Sequence, residues 1–585
     1  MPSTDLRRTP CWLPTRTALF VCLITLLCAS AHAKVVLEGI DGELANNVLS
    51  HMTLDEQDCG APDWRIRRER REAVKEIHTA LQAFGYYSPE VQQEYTRDES
   101  CWLVTYRIDR GKRTKIRELD LQILERPEQI HHELQSVIDD TGIQPGMGLN
   151  HSRYDRFKLR LLETARNWGY WQANYERAEL AVYPKDYAAD VHLHLHLGPR
   201  YVFGATRFET TKLHEKLVAR LTPSLEGQAY SNELVQDMYA DLRRSGYFGQ
   251  ILVTPQVSDD PDQLIVPLDV ALSMDSKHSF GAGLGYSTDQ GIRARGDYQN
   301  RYINQRGHKL RFDALYAQTE SAISGTYTIP GRRASKEWYE LGGGISEEET
   351  SSYTTRLITT SARSVKTLPY DWLLNYGVSL RNERYLIASD DIQNKHLVVP
   401  GIGVSWSDRD ERTRQLYGLR FEAGLTGSSN YWKSDVDYLQ LYTRSKSIVS
   451  FYPQGRFISR LEAANTLIED FTELPPSVRF FTGGDSSVRG YDYESIGSTN
   501  EDGEVIGGRR LLVASVEYDH SILNNWSLSV FADAGDAFDD SLDLKRSVGV
   551  GVRWYSPVGP FRIDLAFPEQ GDNDYRFHVS VGADI

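Results

Sequence analysis

Few residues in this 585-residue chain are spaced for chemistry. His192, His194 and His196 alternate along one segment with strand character. One strand presents a row of ligands rather than a tetrahedral cage, so no metal is expected there. His132-Glu133 and His214-Glu215 begin the H-E-x-x-H zinc pattern, but Ser136 and Val218 stand where its second histidine belongs. There is no G-x-S-x-G elbow and no phosphate-binding P-loop. An enzyme, and any cofactor, therefore has no residues to rest on. Beyond residue 33 only Cys59 and Cys101 remain, an even pair suited to a structural disulfide. Neither has a nearby histidine or a C-x-x-C partner that would make a redox centre.

The first residues indicate where such a disulfide could form. Arg7, Arg8 and Arg16 precede an apolar run from Ala18 to Ala29, and Ala31-His32-Ala33 fits an A-x-A cleavage site. Residues 1–33 read as a secretory signal. The run of about twelve apolar residues is short of the ~20 that a spanning helix needs. Cys28 does not make a lipoprotein signal, because Leu27 stands where that signal wants Gly or Ala. The formal net charge of −15, with no basic block, gives no footprint for nucleic acid.

The elements that must position the remaining residues fall into two compositions that meet near residue 275. Before it, Phe84-Gly85-Tyr86-Tyr87, Trp168-Gly169-Tyr170-Trp171 and Ser245-Gly246-Tyr247-Phe248 recur about 80 residues apart. Each closes an amphipathic helix. In the middle copy Tyr154, Phe157, Leu161, Leu162, Ala165 and Trp168 share one helical face, with Ser152 as the expected N-cap. Gly169 stops that helix, since glycine takes the left-handed conformation without a Cβ penalty. Three units of strand, helix, helix, strand, strand are expected at 34–113, 114–199 and 200–274. The aromatics of the motif read as core packing.

From residue 275 to 585 the period is two. Leu310, Phe312, Ala314 and Tyr316 alternate with Lys309, Arg311 and Asp313. Val548, Val550, Val552 and Trp554 alternate with Gly549, Gly551 and Arg553, and the pattern returns from Phe561 to Phe567 and from Tyr575 to Ile585. A soluble sandwich shares this alternation, but here no second apolar face is present to pair with the first. About 310 residues, at ~9 to 11 per tilted strand plus turns, allow a transmembrane antiparallel barrel of about sixteen strands. Gly281, Gly283 and Gly285 fall on one face of its first strand, where they suit either an easily opened first-to-last seam or tight packing at the closure.

A long connection at about 470–508 carries Arg479-Phe480-Phe481-Thr482-Gly483-Gly484-Asp485-Ser486-Ser487-Val488-Arg489-Gly490-Tyr491. Connections of such length without structure of their own are usually functional. The segment resembles the sixth extracellular loop of the BamA/TamA outer-membrane superfamily, whose V-R-G-[FY] tip folds back into the barrel lumen. The three repeats resemble that superfamily's POTRA domains. A luminal guanidinium needs a carboxylate partner, because an unpaired desolvated charge is costly. In the segment Trp526 to Gly535, Phe531 and Asp533 face inwards if Trp526, Leu528, Val530 and Ala532 face lipid. Phe531-Ala532-Asp533 also matches the family's F-x-D motif, which makes Asp533 the first candidate partner of Arg489 and Asp564 the second.

Three repeats without a plug helix look like the TamA branch, where BamA chains carry five repeats and two-partner secretion transporters two. That resemblance implies an outer-membrane barrel with periplasmic N-terminal domains. It implies a non-enzymatic factor that assembles autotransporters and other outer-membrane proteins. The implied partners are a TamB-like inner-membrane-anchored protein, unfolded outer-membrane clients and outer-membrane lipid, with lipid carriage as a further implied role. The competing class is a passive pore or two-partner-type secretion transporter. The chain ends in Gly582-Ala583-Asp584-Ile585, where such strands commonly finish on an aromatic residue.

Overall fold

The computed structural model describes residues 34–97, 101–125, 127–209, 211–258, 260, 262–388, 390–410, 412, 414–557, 559–570 and 574–581. The signal segment 1–33 and the terminal residues 582–585 lie outside the described residues. Two compact units meet between Pro199 and Arg200.

The first unit holds two small mixed sheets. One comprises β1 (Lys34–Glu38), α1 (Gly42–His51), α2 (Asp63–Gln82), β2 (Glu90–Arg97) and β3 (Trp102–Asp109), with sheet order β1-β3-β2 and β1 parallel to β3. Ile66, Ala73, Ile77 and Leu81 recur at helical spacing on α2 and bury against Trp102, Val104 and Tyr106 of β3. Cys59 and Cys101 are joined by a disulfide beside this core.

The second sheet repeats the order with β4 (Lys115–Ile123), α3 (Glu128–Asp139), α4 (His151–Asn167), β5 (Asn174–Tyr183) and β6 (Ala188–His196), arranged β4-β6-β5. Tyr154, Phe157, Leu161 and Ala165 are the buried face of α4, while Leu162 and Trp168 are half-buried at its rim. The expected cap is corrected. Asn150, not Ser152, caps α4, its side chain accepting from the Arg153 N–H at 3.0 Å, and Ser152 lies inside the first turn. His192, His194 and His196 are spent on carboxylates: His194 Nε2 lies 2.8 Å from Asp120 and His196 Nε2 lies 2.9 Å from Glu125. His194 holds the Asp120 carboxyl down to about 2. No group able to hold a metal ion is found among the described residues.

The helix-Gly-aromatic motif also joins neighbours. Gly85, at φ +89°, lies so close to Leu149 that a Cβ would come within 2.7 Å of its carbonyl oxygen. Tyr87 Oη meets His151 Nε2 at 2.6 Å, and Arg113 donates to the carbonyls of Phe84 (2.9 Å) and Leu149 (3.0 Å). The motif of the first repeat thereby ties it to the start of α4 in the second.

The second unit opens with β7 (Val202–Phe208), α5 (Glu215–Val218), α6 (Asn232–Arg244), β8 (Phe248–Pro255) and β9 (Ile265–Met274), with sheet order β7-β9-β8. A closed antiparallel barrel of sixteen strands follows, the first being His278–Ser287 and the last Arg576–Val581. Period-two alternation makes its outside apolar: Leu284, Phe280, Ile323 and Tyr316 are 86%, 78%, 68% and 65% exposed. The inside is polar, as a membrane barrel requires.

The third repeat sits on the barrel's turns. Tyr247 Oη donates to the Gly307 carbonyl at 2.5 Å, and Lys309 Nζ donates to the Ser245 carbonyl. Arg220 donates to Gly331 at 3.2 Å, while Arg244 pairs with Asp371 at 3.0 Å. Tyr247 of the repeated motif is therefore a joint to the barrel as well as core packing.

Candidate functional site

The connection between the eleventh strand (Gly455–Leu467) and the twelfth (Arg510–Leu523) enters the lumen. It has structure of its own, contrary to expectation: a 3-10 turn at Phe471–Glu473 and a short ribbon pairing Ser498–Thr499 with Val505–Gly507. Its base is fixed where the Ser477 N–H donates at 3.0 Å to Glu383, a carboxylate with no exposed surface. Arg479 donates to the carbonyls of Leu474, Ile506 and Thr472 at 2.7 to 2.8 Å, which folds the loop on itself.

At the tip, Arg489 is buried on the thirteenth strand (Trp526–Phe538). Its Nε and Nη2 donate to the two Asp533 oxygens at 2.7 and 2.9 Å, and its backbone N–H adds a third bond at 3.2 Å. Its Nη1 reaches Glu517 at 2.7 Å and Asp564 at 3.3 Å. The guanidinium lies over the Phe531 ring, 3.4 Å from its centroid. Trp526, Leu528, Val530 and Ala532 are exposed on the outer face, and Phe531 and Asp533 are buried inside.

Glu517 and Arg553, not singled out from the sequence, complete the cluster. Arg553 bridges Glu517 at 2.8 Å and Asp564 at 2.5 Å, so two guanidinia interleave with three carboxylates. A buried ion cluster contributes little net stability, because desolvation offsets attraction, but removing one member costs about 3–5 kcal/mol. Such a cluster specifies one seating of the loop.

Small residues make the room. A Cβ on Gly549 would strike the Phe531 ring, and one on Gly551 would strike the Asp564 carboxylate. A Cβ on Gly535 would stand 2.8 Å from Val488, which is wholly buried with Leu511, Val513 and Ala537. Gly490, at φ +97°, turns the chain beside Pro568 in a conformation costly for other residues. Tyr491 Oη donates to the Arg546 carbonyl at 3.2 Å.

Among the described residues, a Cβ on Gly281 or Gly285 would strike the side chain of Asp297 or Arg293 on the second strand, and one on Gly283 would meet nothing within 4 Å. Among the described residues the ladder between first and last strands is the pair Ser287 and Ser580. Towards the opposite end of the lumen, Arg414 (2.8 Å), Arg456 (3.3 Å) and Tyr555 (3.0 Å) surround Asp519, which has no exposed surface.

A closed sixteen-stranded barrel preceded in the chain by three small mixed sheets, with an arginine-tipped loop in its lumen, defines a transmembrane β-barrel protein. Residues 303–585 match the Omp85 superfamily domain, and residues 34–110 match the POTRA domain described as TamA domain 1. Residues 303–585 thus carry a barrel of the Omp85 superfamily, which lies in the outer membrane and follows N-terminal POTRA-like domains. It is 23% identical over 398 residues to outer membrane protein assembly factor BamA of Nitratidesulfovibrio vulgaris, covering 63% of this chain and 49% of that protein. Against BamA of Neisseria meningitidis it is 23% identical over 489 residues, covering 70% and 60%. The chain thus spans about half the length of the curated relatives it matches. The crystal structure of Haemophilus ducreyi BamA lacking POTRA domains 1–3 shares the fold, with a TM-score of 0.63 at 16% identity over 79% of this chain and 99% of that one.

Proposed function

We propose that the protein assembles outer-membrane proteins without enzymatic chemistry, autotransporters among them. On this reading the chain divides into three periplasmic POTRA domains, at 34–113, 114–199 and 200–274, and a barrel. The edge strands β1, β2, β5 and β8 offer backbone to extended client segments, which bind by strand addition with little sequence demand, whereas the starts of β4 and β7 are already bonded to residues 146–149 and 227–230. A TamB-like inner-membrane-anchored protein is the proposed partner, and carriage of lipid to the outer membrane a further role. Barrel strands of the client would form on the first-strand edge, along which Gly281, Gly283 and Gly285 share one face.

The observation that carries this reading is Arg489, buried in the lumen against three carboxylates. A lumen filled by its own loop suits a template better than a steady pore. The test pairs a planar-bilayer recording with client folding into proteoliposomes. A closed barrel that accelerates folding is expected, whereas large steady conductance without acceleration would establish the pore. Recovery of a TamB-like protein by pull-down from the native envelope checks the partner.

A further inference from the structure

The loop tip makes a second set of contacts, away from the arginine cluster and on both sides of the barrel's closing seam. On one side, Asp289 lies in the turn after the first strand and accepts the Asp485 N–H at 2.5 Å. On the other, His578 lies on the last strand and accepts the Gly490 N–H at its Nε2 at 2.8 Å. Arg576, two residues before it, pairs with Asp492. The two side chains, each 2% exposed, also face each other across the seam, His578 Nδ1 standing 3.9 Å from Asp289 Oδ1.

This burial needs an explanation. His578 Nδ1 is buried without a hydrogen-bond partner among the described residues, a cost of ~1–3 kcal/mol, and the Asp289 and Asp485 carboxyls are buried against each other. Hydrophobic residues would close a barrel more cheaply. Polar groups placed there are useful when the contact must form and break, since water can satisfy them once the seam parts. The charged groups acting on the trio are Asp564 and Arg489 from the cluster and Arg576 from the last strand. The loop is thus bonded to the first hairpin turn, the last strand and the thirteenth strand together.

We infer that Asp289 and His578 are positioning residues that tie the tip of the luminal loop to both edges of the first-to-last seam, so that seating the loop and closing the seam are one event. The inference deepens the proposed assembly function by naming what controls the edge on which a client strand would form, and it rests on that reading for its purpose. Its geometry is tested without any client.

Ser287 and Ser580 face each other in the ladder, so a S287C/S580C pair reports seam closure through oxidative cross-linking of the full-length chain in proteoliposomes. In that background His578→Phe and Asp289→Ala should each raise the ratio of open to closed seam about fivefold, the effect of one buried hydrogen bond. His578→Gln and Asp289→Asn keep an acceptor and, compared at about pH 5, should cross-link as the parent does. Heat-modifiable gel mobility shows which variants remain folded. If His578→Phe does not fold, Asp289→Ala, in a turn, decides alone. Folded His578→Phe and Asp289→Ala barrels that cross-link like the parent overturn the inference. Client insertion measured on the same samples is separate: its absence from the parent speaks against the assembly function and leaves the seam result standing.

Discussion

Arg489 grips Asp533 side-on, with Nε and Nη2 on its two carboxylate oxygens at 2.7 and 2.9 Å and the Arg489 backbone N–H on the same carboxylate at 3.2 Å. Three bonds from one residue to one carboxylate fix both the position and the rotation of the loop tip. Glu517 and Asp564 then hold the remaining guanidinium nitrogen.

Arg489→Ala should unseat the loop without unfolding the barrel, because it leaves three buried carboxylates short of a partner at a cost of about 3–5 kcal/mol while sixteen strand ladders remain. Limited proteolysis of intact proteoliposomes should cut within 470–508 in the variant and not in the parent. Arg489→Lys should be cut at an intermediate rate, since an ammonium cannot bind Asp533 in two places.

A charge swap should fail to restore seating. In the double variant Arg489→Asp with Asp533→Arg, the new carboxylate would face Glu517 and Asp564, both of which contact Arg489 in the parent. Protease sensitivity of the double variant equal to that of Arg489→Asp is expected. Full protection would mean that Asp533 alone holds the arginine.

Much of this arrangement was legible beforehand, and the remainder was hidden for definite reasons. Period two places Phe531 and Asp533 inside as soon as Trp526 and Leu528 face lipid, and the repeated Gly-Tyr motif marks the helix ends. Glu517 and Arg553 share the same inward phase on their own strands, yet nothing local tells which of many inward charges meet. Their contact depends on the register between strands 36 residues apart. Asp289 and Asp485 lie 196 residues apart and meet only because the barrel closes. The cap of α4 was misplaced because Asn150 and Ser152 are both capping types, and only backbone geometry shows that Asn150 is extended while Ser152 is helical. Tyr247 packs its ring in the core while its buried hydroxyl makes the joint, a role that the aromatic type alone does not show.

Acidity should strengthen the seam. Burial, then the neighbouring Asp485, push the Asp289 carboxyl up to about 8. A carboxyl raised above its unfolded value, ~3.9, binds more protons when folded, so stability falls as pH rises through that window and levels off above it. Cross-linking of S287C/S580C at a fixed oxidant potential should decline from pH 5 to pH 8 in the parent. In the Asp289→Asn background that slope should flatten.

The joint between the third repeat and the barrel should depend on Gly307. It adopts φ +75°, and a Cβ would strike Leu217 and stand 2.7 Å from the Tyr247 oxygen. Gly307→Val should broaden the distance distribution between spin labels on α6 and a barrel turn. Tyr247→Phe, which loses one hydrogen bond worth ~1 kcal/mol, should broaden it less.

On the proposed function, the latched, closed barrel becomes active by opening its seam to a client strand, and client folding on a locked seam reports this directly. The folding rate of an outer-membrane client is followed in proteoliposomes containing S287C/S580C, oxidised and then reduced, beside the parent given the same treatments. The account predicts acceleration over empty liposomes for the parent, its loss in the oxidised pair and its return on reduction. Acceleration undiminished by the cross-link would contradict it.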